Sequence, residues 1–349
     1  MANLAGAFAQ MRIPREPQQN HDIPTRQLLR ARASVPAVPQ PKLLLTEKAV
    51  YEVLQSVDPR AQDRTDTGMS DGVNLIRNAA RGTLYVEKRI KVVRESRRQR
   101  ALAEIAVLTQ VRDAGGSYAT NTLVESFWDR ASSYCHIILE YCNQGALDGT
   151  IDRYVEARHQ VPEDFCWHVL TGLTKALCFI HSGLDLELAN AKPRPGWNTI
   201  CHLDIKPGNI FLTSTGQTGG YPRVVLGDFG CAVTWNDIRS GKESREILYQ
   251  GTEEWMPPEL EPNDHGIVGK YGMPTDVWQM GGVIQVVCRL MDVPDQESVG
   301  RNRPCGRAYS KDLNNMVCSV MHKEYAKRPR AIDMVGELKR LMRTRRLVF

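Results

Sequence analysis

The sequence predicts an α+β protein made of two parts. Strand-like texture dominates before about residue 142, and helical texture dominates after Gly145. The chain has 349 residues, of which 42% are hydrophobic and 24% charged. That is room for two lobes and enough apolar side chains for a sizeable core, so global disorder is excluded.

The elements follow in order. Residues 1–41 mix Pro, Gln, Arg and Ala without a sustained period and read as a flexible extension; an Arg-rich transit peptide is the alternative. Residues 46–57 fit a short flanking helix. Thr46 stands at a cap position, and Val50, Val53, Leu54 and Val57 recur at helical spacing. Such a helix would pack on the domain that follows or bind a partner. Val73–Arg77 and Thr83–Ile90 are strand-like, with a turn at Asn78–Gly82. A helix is expected from about Arg94 to Arg112, with Ala101, Glu104, Ile105 and Leu108 on one face. The carboxylate of Glu104 on that apolar face demands a partner. Val124–Trp128 and Tyr134–Cys142 are the next strands. The later part reads mostly helical, with loops at 183–220.

Net charge is +5, and the stretch from Lys339 to Phe349 carries five basic residues and no acid. A local cluster of this kind argues against a nucleic-acid-binding body. No apolar run approaches the roughly 20 residues that span a bilayer. Nine cysteines without a C-x-x-C pair, and no secretory signal, read as reduced thiols. The expected setting is intracellular, in cytoplasm or nucleus.

The chemistry concentrates in His202-Leu203-Asp204-Ile205-Lys206-Pro207-Gly208-Asn209 and in Asp228-Phe229-Gly230 downstream. Asp204, Asn209 and Asp228 supply hard oxygen donors suited to Mg²⁺, and Lys206 a counter-charge for phosphate. Taken singly, Asp, Asn, Gly and Pro are also ordinary turn residues. Taken together they resemble the eukaryotic protein kinases, whose catalytic loop reads H-R-D-x-K-x-x-N and whose metal loop reads D-F-G. At roughly one in twenty per position, seven such matches arise by chance on the order of 10⁻⁹.

The resemblance implies a bilobal fold, with a small antiparallel-sheet lobe holding one helix (61–140) and a larger, mainly helical lobe (145–346). It implies that Lys88 pairs with Glu104 to hold ATP phosphates. Leu139, Glu140 and Cys142 would border adenine, with Val86 above it. Gly68 and Gly72 would belong to the phosphate-covering loop. Asp204 would orient the acceptor hydroxyl, Lys206 would neutralise the transferring group, and Asn209 with Asp228 would hold Mg²⁺. The segment Gly251–Glu259 resembles the end of an activation segment, with Glu259 pairing with Arg328 and Thr252 in the substrate platform. Asp276, Trp278 and Gly281 match a D-x-W-x-x-G helix whose Asp holds the catalytic loop from beneath.

Lys206 is the serine/threonine pattern, implying protein substrates with Ser or Thr acceptors. Val86 and Leu226-Gly227 look like the NIMA-related kinases. The chain departs from the pattern in two places. No clean G-x-G-x-x-G exists, and Asp66 stands near where a first glycine would be. Leu203 replaces the arginine that commonly binds a phosphorylated activation loop. These departures leave a second reading open, a kinase-fold nucleotide-binding or scaffold protein. Between Ser182 and Ile200 an inserted loop reads as a surface insertion or a docking element, and Cys231 as either a buried or a reactive thiol.

Overall fold

The computed structural model describes residues 42–57, 71–129, 131–215, 220–241, 251–261, 270–347 and 349. The extension 1–41, Asp66 and Gly68 lie outside the described residues.

The small lobe is a six-stranded antiparallel sheet. Its strands are β1 (Lys42–Leu45), β2 (Val50–Ser56), β3 (Val73–Asn78), β4 (Leu84–Lys91), β5 (Leu123–Asp129) and β6 (Tyr134–Glu140). They lie in the order β1-β2-β3-β4-β6-β5. One helix, α1 (Glu95–Asp113), packs against it and buries Ala101, Glu104, Val107, Leu108 and Val111.

The expected flanking helix at 42–60 is not there. Residues 42–56 form the β1–β2 hairpin, and β2 continues the sheet by pairing with β3, so the lobe begins at Lys42 rather than at 61. The helical spacing of Val50, Val53, Leu54 and Val57 was accidental. Val50 and Leu54 are 40% and 42% exposed, whereas Tyr51 is 2% exposed and packs with Ile76 and Ile138. Period two therefore outweighs period 3.6, as β-branched and aromatic residues favour on a half-buried sheet. Thr46 caps the hairpin turn and not a helix: its Oγ1 accepts from the amides of Lys48 and Ala49.

The large lobe holds α2 (Leu147–Ala157), α3 (Glu163–Ser182), α4 (Trp235–Arg239), α5 (Met273–Arg289), α6 (Gln296–Gly300), α7 (Lys311–Val320) and α8 (Ala331–Thr344). Helices α3 and α5 are buried nearly all round and form its centre. Gly281 is needed where α5 passes the end of α7, because a Cβ there would fall 2.5 Å from Met321 Cγ. Short strand pairs β7 (Ile200–Cys201) with β10 (Val233–Thr234), and β8 (Ile210–Thr213) with β9 (Arg223–Leu226), bring the chemistry-bearing loops to one edge of this core. The amides of Asn121 and Leu226 bond across to Leu226 and Ala119 carbonyls, tying β9 to the small lobe.

Candidate active site

Lys88 lies on β4, paired with Val73 on one side and Ile137 on the other. Its ammonium donates to both oxygens of Glu104, at 2.8 and 3.0 Å, and to Asp228 Oδ1 at 2.7 Å. Burial works against the charge on Lys88, but the carboxylates of Asp228 and Glu104 outweigh it and hold the ammonium well above its ordinary range. Burial also works against Asp228, yet Lys88 beside it brings the carboxyl down to about 2. Glu104 moves the other way: its burial raises it, and Lys88 offsets only part of that. The carboxylate expected to need a partner on the apolar face of α1 has one.

Asp228 takes a left-handed backbone (φ 58°, ψ 73°), which turns its side chain toward Lys88. The side chain stays 38% exposed. Phe229, behind it, is buried against His202, with ring centroids 4.9 Å apart.

Asp204 is the hub of the catalytic loop. Its Oδ1 accepts from the Thr252 amide at 2.9 Å and the Thr252 hydroxyl at 2.8 Å. Its Oδ2 accepts from Asn209 Nδ2 at 2.8 Å and faces Lys206 Nζ at 3.2 Å. Asn209 Nδ2 also donates to the Asp204 carbonyl. Asn209 uses its amide hydrogens on Asp204, which leaves its side-chain oxygen as a hard donor. Lys206 also donates to the Thr252 hydroxyl. Thr252 thus ties the activation-segment end to the catalytic loop.

The loop is fixed from below. Asp276, fully buried on α5, accepts from the amides of His202 (2.9 Å) and Leu203 (2.8 Å) and is bonded to His181 Nε2 (2.9 Å). Gln279, one turn on, accepts from the Ile205 amide and donates to the Leu203 carbonyl. His202 takes the Nε2–H tautomer, donating to the Gly227 carbonyl while Nδ1 accepts from the Asp204 amide. Leu203 sits at φ 64°, a region costing a non-glycine residue about 1–3 kcal/mol, and these bonds impose it. Its side chain, 1% exposed, packs with Cys201, Val233, Leu260 and Tyr271. An apolar contact therefore stands where the kinase arginine would take a phosphate.

The face of the sheet that carries Lys88 also carries Val86, cross-strand from Leu75 and Leu139. Leu139 and Leu75 are each 8% exposed. Glu140 directs its carboxylate to Arg223 Nη2 at 2.5 Å, and Cys142 is buried at the turn closed by the Gly145 amide. Gly72 enters β3 with φ 144°, and its carbonyl accepts from the Arg89 amide. Asp71 beside it is ion-paired to Arg97 of α1 at 2.9 Å.

Several residues at this site escaped the sequence. Gln279 had a signal, since i+3 from Asp276 is the same helix face. Leu75 had one in its strand alternation. Phe211 had none: it bridges to Ala146, and its ring lies so close over Gly227 that a Cβ there would fall 2.7 Å from it. The inserted loop is a strut. Arg194 Nη2 reaches the Ala114 carbonyl at 2.6 Å, Gln110 of α1 reaches the Asn198 carbonyl at 2.7 Å, and Asn198 Oδ1 accepts from the Asn236 amide. Cys231 is buried, and that burial first, with Asp204 and Asp228 nearby, pushes its thiol up to about 12. Glu259 and Arg328 form a two-pronged ion pair at 2.8 and 2.6 Å, with the arginine side chain fully buried.

Comparison with known proteins agrees with this arrangement. Residues 66–338 match the protein kinase domain family. The serine/threonine-protein kinase Nek2 of Mus musculus is 26% identical over 310 residues, covering 83% of this chain and 62% of that protein. The G2-specific protein kinase nimA of Emericella nidulans is 25% identical over 331 residues, covering 86% and 42%. The mitosis inhibitor protein kinase SWE1 of Saccharomyces cerevisiae is 27% identical over 244 residues, covering 66% and 26%. The chain spans less than two thirds of the length of each of these relatives. With a matching domain over most of its length and the ion pair, catalytic loop and metal loop in one cleft, the chain belongs to the protein kinase family, of serine/threonine type with loose similarity to the NIMA-related kinases.

Proposed function

We propose that the protein transfers the γ-phosphoryl group of ATP to Ser or Thr hydroxyls of protein substrates. The observation that carries this is the junction at Lys88, which holds Glu104 from one lobe and Asp228 from the other in a single ion-paired unit. A kinase site with α1 displaced or the metal loop turned out would lack that junction.

The residues present fit ATP with Mg²⁺. The part-exposed carboxylate of Asp228 and the side-chain oxygen of Asn209 would be the two hard donors. Among the described residues no group of three or more His, Cys, Asp or Glu could hold an ion alone. Two protein ligands with phosphate oxygens completing the shell is how Mg²⁺ is commonly held in such sites. The bound ion would neutralise charge that builds on the phosphates.

The chain's own groups do the rest. Lys88 positions the phosphates while Glu104 fixes Lys88. Val86, Leu75 and Leu139 give adenine an apolar surface, with Glu140 and Cys142 along its edge and Gly72 beside the phosphates. Asp204 orients the acceptor hydroxyl and accepts its proton, and Lys206 stabilises negative charge at the transferred group. Thr252, held by both, borders the place where the acceptor enters. Because Leu203 closes its site with apolar contacts, activity needs no phosphate on the activation segment. Nine free cysteines suit a reducing compartment, and we place the protein in cytoplasm or nucleus. No helix among the described residues is long and apolar enough to cross a membrane.

The test is Mg²⁺-dependent ³²P transfer from ATP to a generic basic protein, comparing wild type with Asp228→Ala. Transfer lost in the variant is the expected result. No transfer by the wild type, with ATP still raising its melting temperature, would reassign the protein as a nucleotide-binding scaffold.

A further inference from the structure

A cavity of about 570 Å³ opens at the C-terminal end of α5, away from the catalytic cleft. Four arginines line it: Arg289, the last residue of α5, and Arg301, Arg303 and Arg307 from the segment joining α6 to α7. Only two acids share it, and both are engaged. Asp295 caps α6, accepting from the amides of Glu297 (2.8 Å) and Ser298 (3.1 Å). Glu297 is ion-paired with Arg301, one turn away. Among the described residues, no ion pair is formed by Arg303 or Arg307, while Arg289 lies within the field of the Asp295 carboxylate. Their side chains are exposed, while Cys288, Cys305 and Tyr309 form a buried floor.

With Arg303 and Arg307 unpaired and Arg289 only partly offset by Asp295, the guanidinium groups around the cavity repel one another unless an anion joins them. Each offers a planar fork of donors that matches phosphate oxygens in pairs. The cavity is also much larger than a lone phosphate needs, which leaves space for the side chain and backbone that carry it. We propose that this cavity is a docking site for a phosphorylated serine or threonine in a segment of a protein partner. Charge complementarity names the ligand, and the floor and volume name the peptide.

The location sets a length. Asp276, beneath the catalytic loop, and Arg289 stand toward opposite ends of α5, about 20 Å apart at 1.5 Å per residue. An extended chain covers about 3.3 Å per residue, so a docked phosphate lies on the order of five to six residues from a hydroxyl presented to Asp204. The docking site does not depend on phosphoryl transfer: it would bind its ligand equally in a scaffold.

The probes are a five-residue peptide with a central phosphoserine between alanines, its unphosphorylated and glutamate counterparts, and inorganic phosphate. Each is titrated calorimetrically into the full chain without nucleotide. The phosphopeptide is expected to bind and the unphosphorylated peptide not to. Arg303→Glu and Arg307→Glu should each weaken binding about tenfold or more, with Arg343→Glu, an exposed arginine on α8, without effect. Arg303→Gln covers the case in which a reversal disturbs folding, and should weaken binding in the same direction. Equal binding of the serine or glutamate peptide, inorganic phosphate binding as tightly as the phosphopeptide, or equal loss in the Arg343→Glu control would each overturn the proposal. Transfer activity is assayed separately, so a failed kinase assay and a failed titration are distinguishable.

Discussion

The floor and the roof of the cleft are held by different physics. The floor, residues 202–209 with Thr252, Asp276 and Gln279, is a network of buried polar groups in which most members have two or more partners. The roof is a sheet face of Val86, Leu75 and Leu139, joined to the floor by the charged junction at Lys88 and, at its edge, by the Glu140–Arg223 pair. Removing a member of a satisfied network strands its partners, so the floor is brittle. An apolar roof tolerates exchange of similar volumes. The junction is the exception, because it is both charged and shared.

The sharpest way to break the comparison is at that junction. Lys88→Met leaves Glu104, 3% exposed, without its ammonium. Phosphoryl transfer should fall by several orders of magnitude, each tenfold being about 1.4 kcal/mol of barrier. Val86→Ala on the same strand should change transfer by less than about tenfold, since it only widens an apolar surface. A steady-state assay of both variants checks this. Equal losses would mean that the roof is as exacting as the floor.

The next effect is on stability. Arg328→Ala leaves the Glu259 carboxylate in a nearly buried site without its two-pronged partner. Breaking one side of a buried pair costs about 3–5 kcal/mol. Urea unfolding of Arg328→Ala, compared with Arg77→Ala, should show this. Arg77 pairs with Glu52 on the exposed sheet, its side chain 49% exposed, and its loss should cost about 0–1 kcal/mol.

These two regions also differ in how far the sequence revealed them. The floor was legible because chemistry restricts residue type and spacing: Asp204, Lys206, Asn209 and Asp228 stand at intervals that few other structures require. Glu104 was legible by contradiction, as a charge on an apolar face. The roof was less so. The β1–β2 hairpin is hidden because Val50, Val53, Leu54 and Val57 fit helical spacing locally, and only pairing with β3, which is not local, places Val50 and Leu54 on the outer face. Phe211 and the strut through Arg194 depend on contacts between segments far apart in the chain, such as Arg194 with Ala114, and no local pattern encodes these.

Acid should separate the junction from the rest of the network. Asp228 titrates at about 2, below its ordinary value of 3.8, chiefly because Lys88 overcomes the effect of burial. A depressed carboxylate stabilises the fold above its unfolded value and ceases to do so as pH falls through its folded value. The stability difference between wild type and Asp228→Asn should therefore be level above about pH 5 and shrink between about pH 5 and pH 1. Urea midpoints across that range are the measurement. A difference that had vanished by pH 4 would mean that Lys88 gives Asp228 no more than an exposed ion pair would.

The smallest effect is expected at the strut, and it bears most directly on how floor and roof communicate. Arg194 reaches the carbonyl just beyond α1, and Asn198 links Gln110 of α1 to Asn236 at the start of α4. The inserted loop therefore connects the helix that carries Glu104 with the chain leaving the metal loop. Arg194→Ala removes one charged hydrogen bond, worth about 1.5–3 kcal/mol where partly buried, and also stacking of the guanidinium on Phe179 and Trp197. If the strut positions α1, the variant should raise KM for ATP several-fold with a smaller change in kcat, because Lys88 would lose the fixed position of Glu104. Lys at 194 would restore the charge but not the fork, and so should recover little. If the loop only covers surface, both variants should lower the melting temperature alone and leave KM where it was.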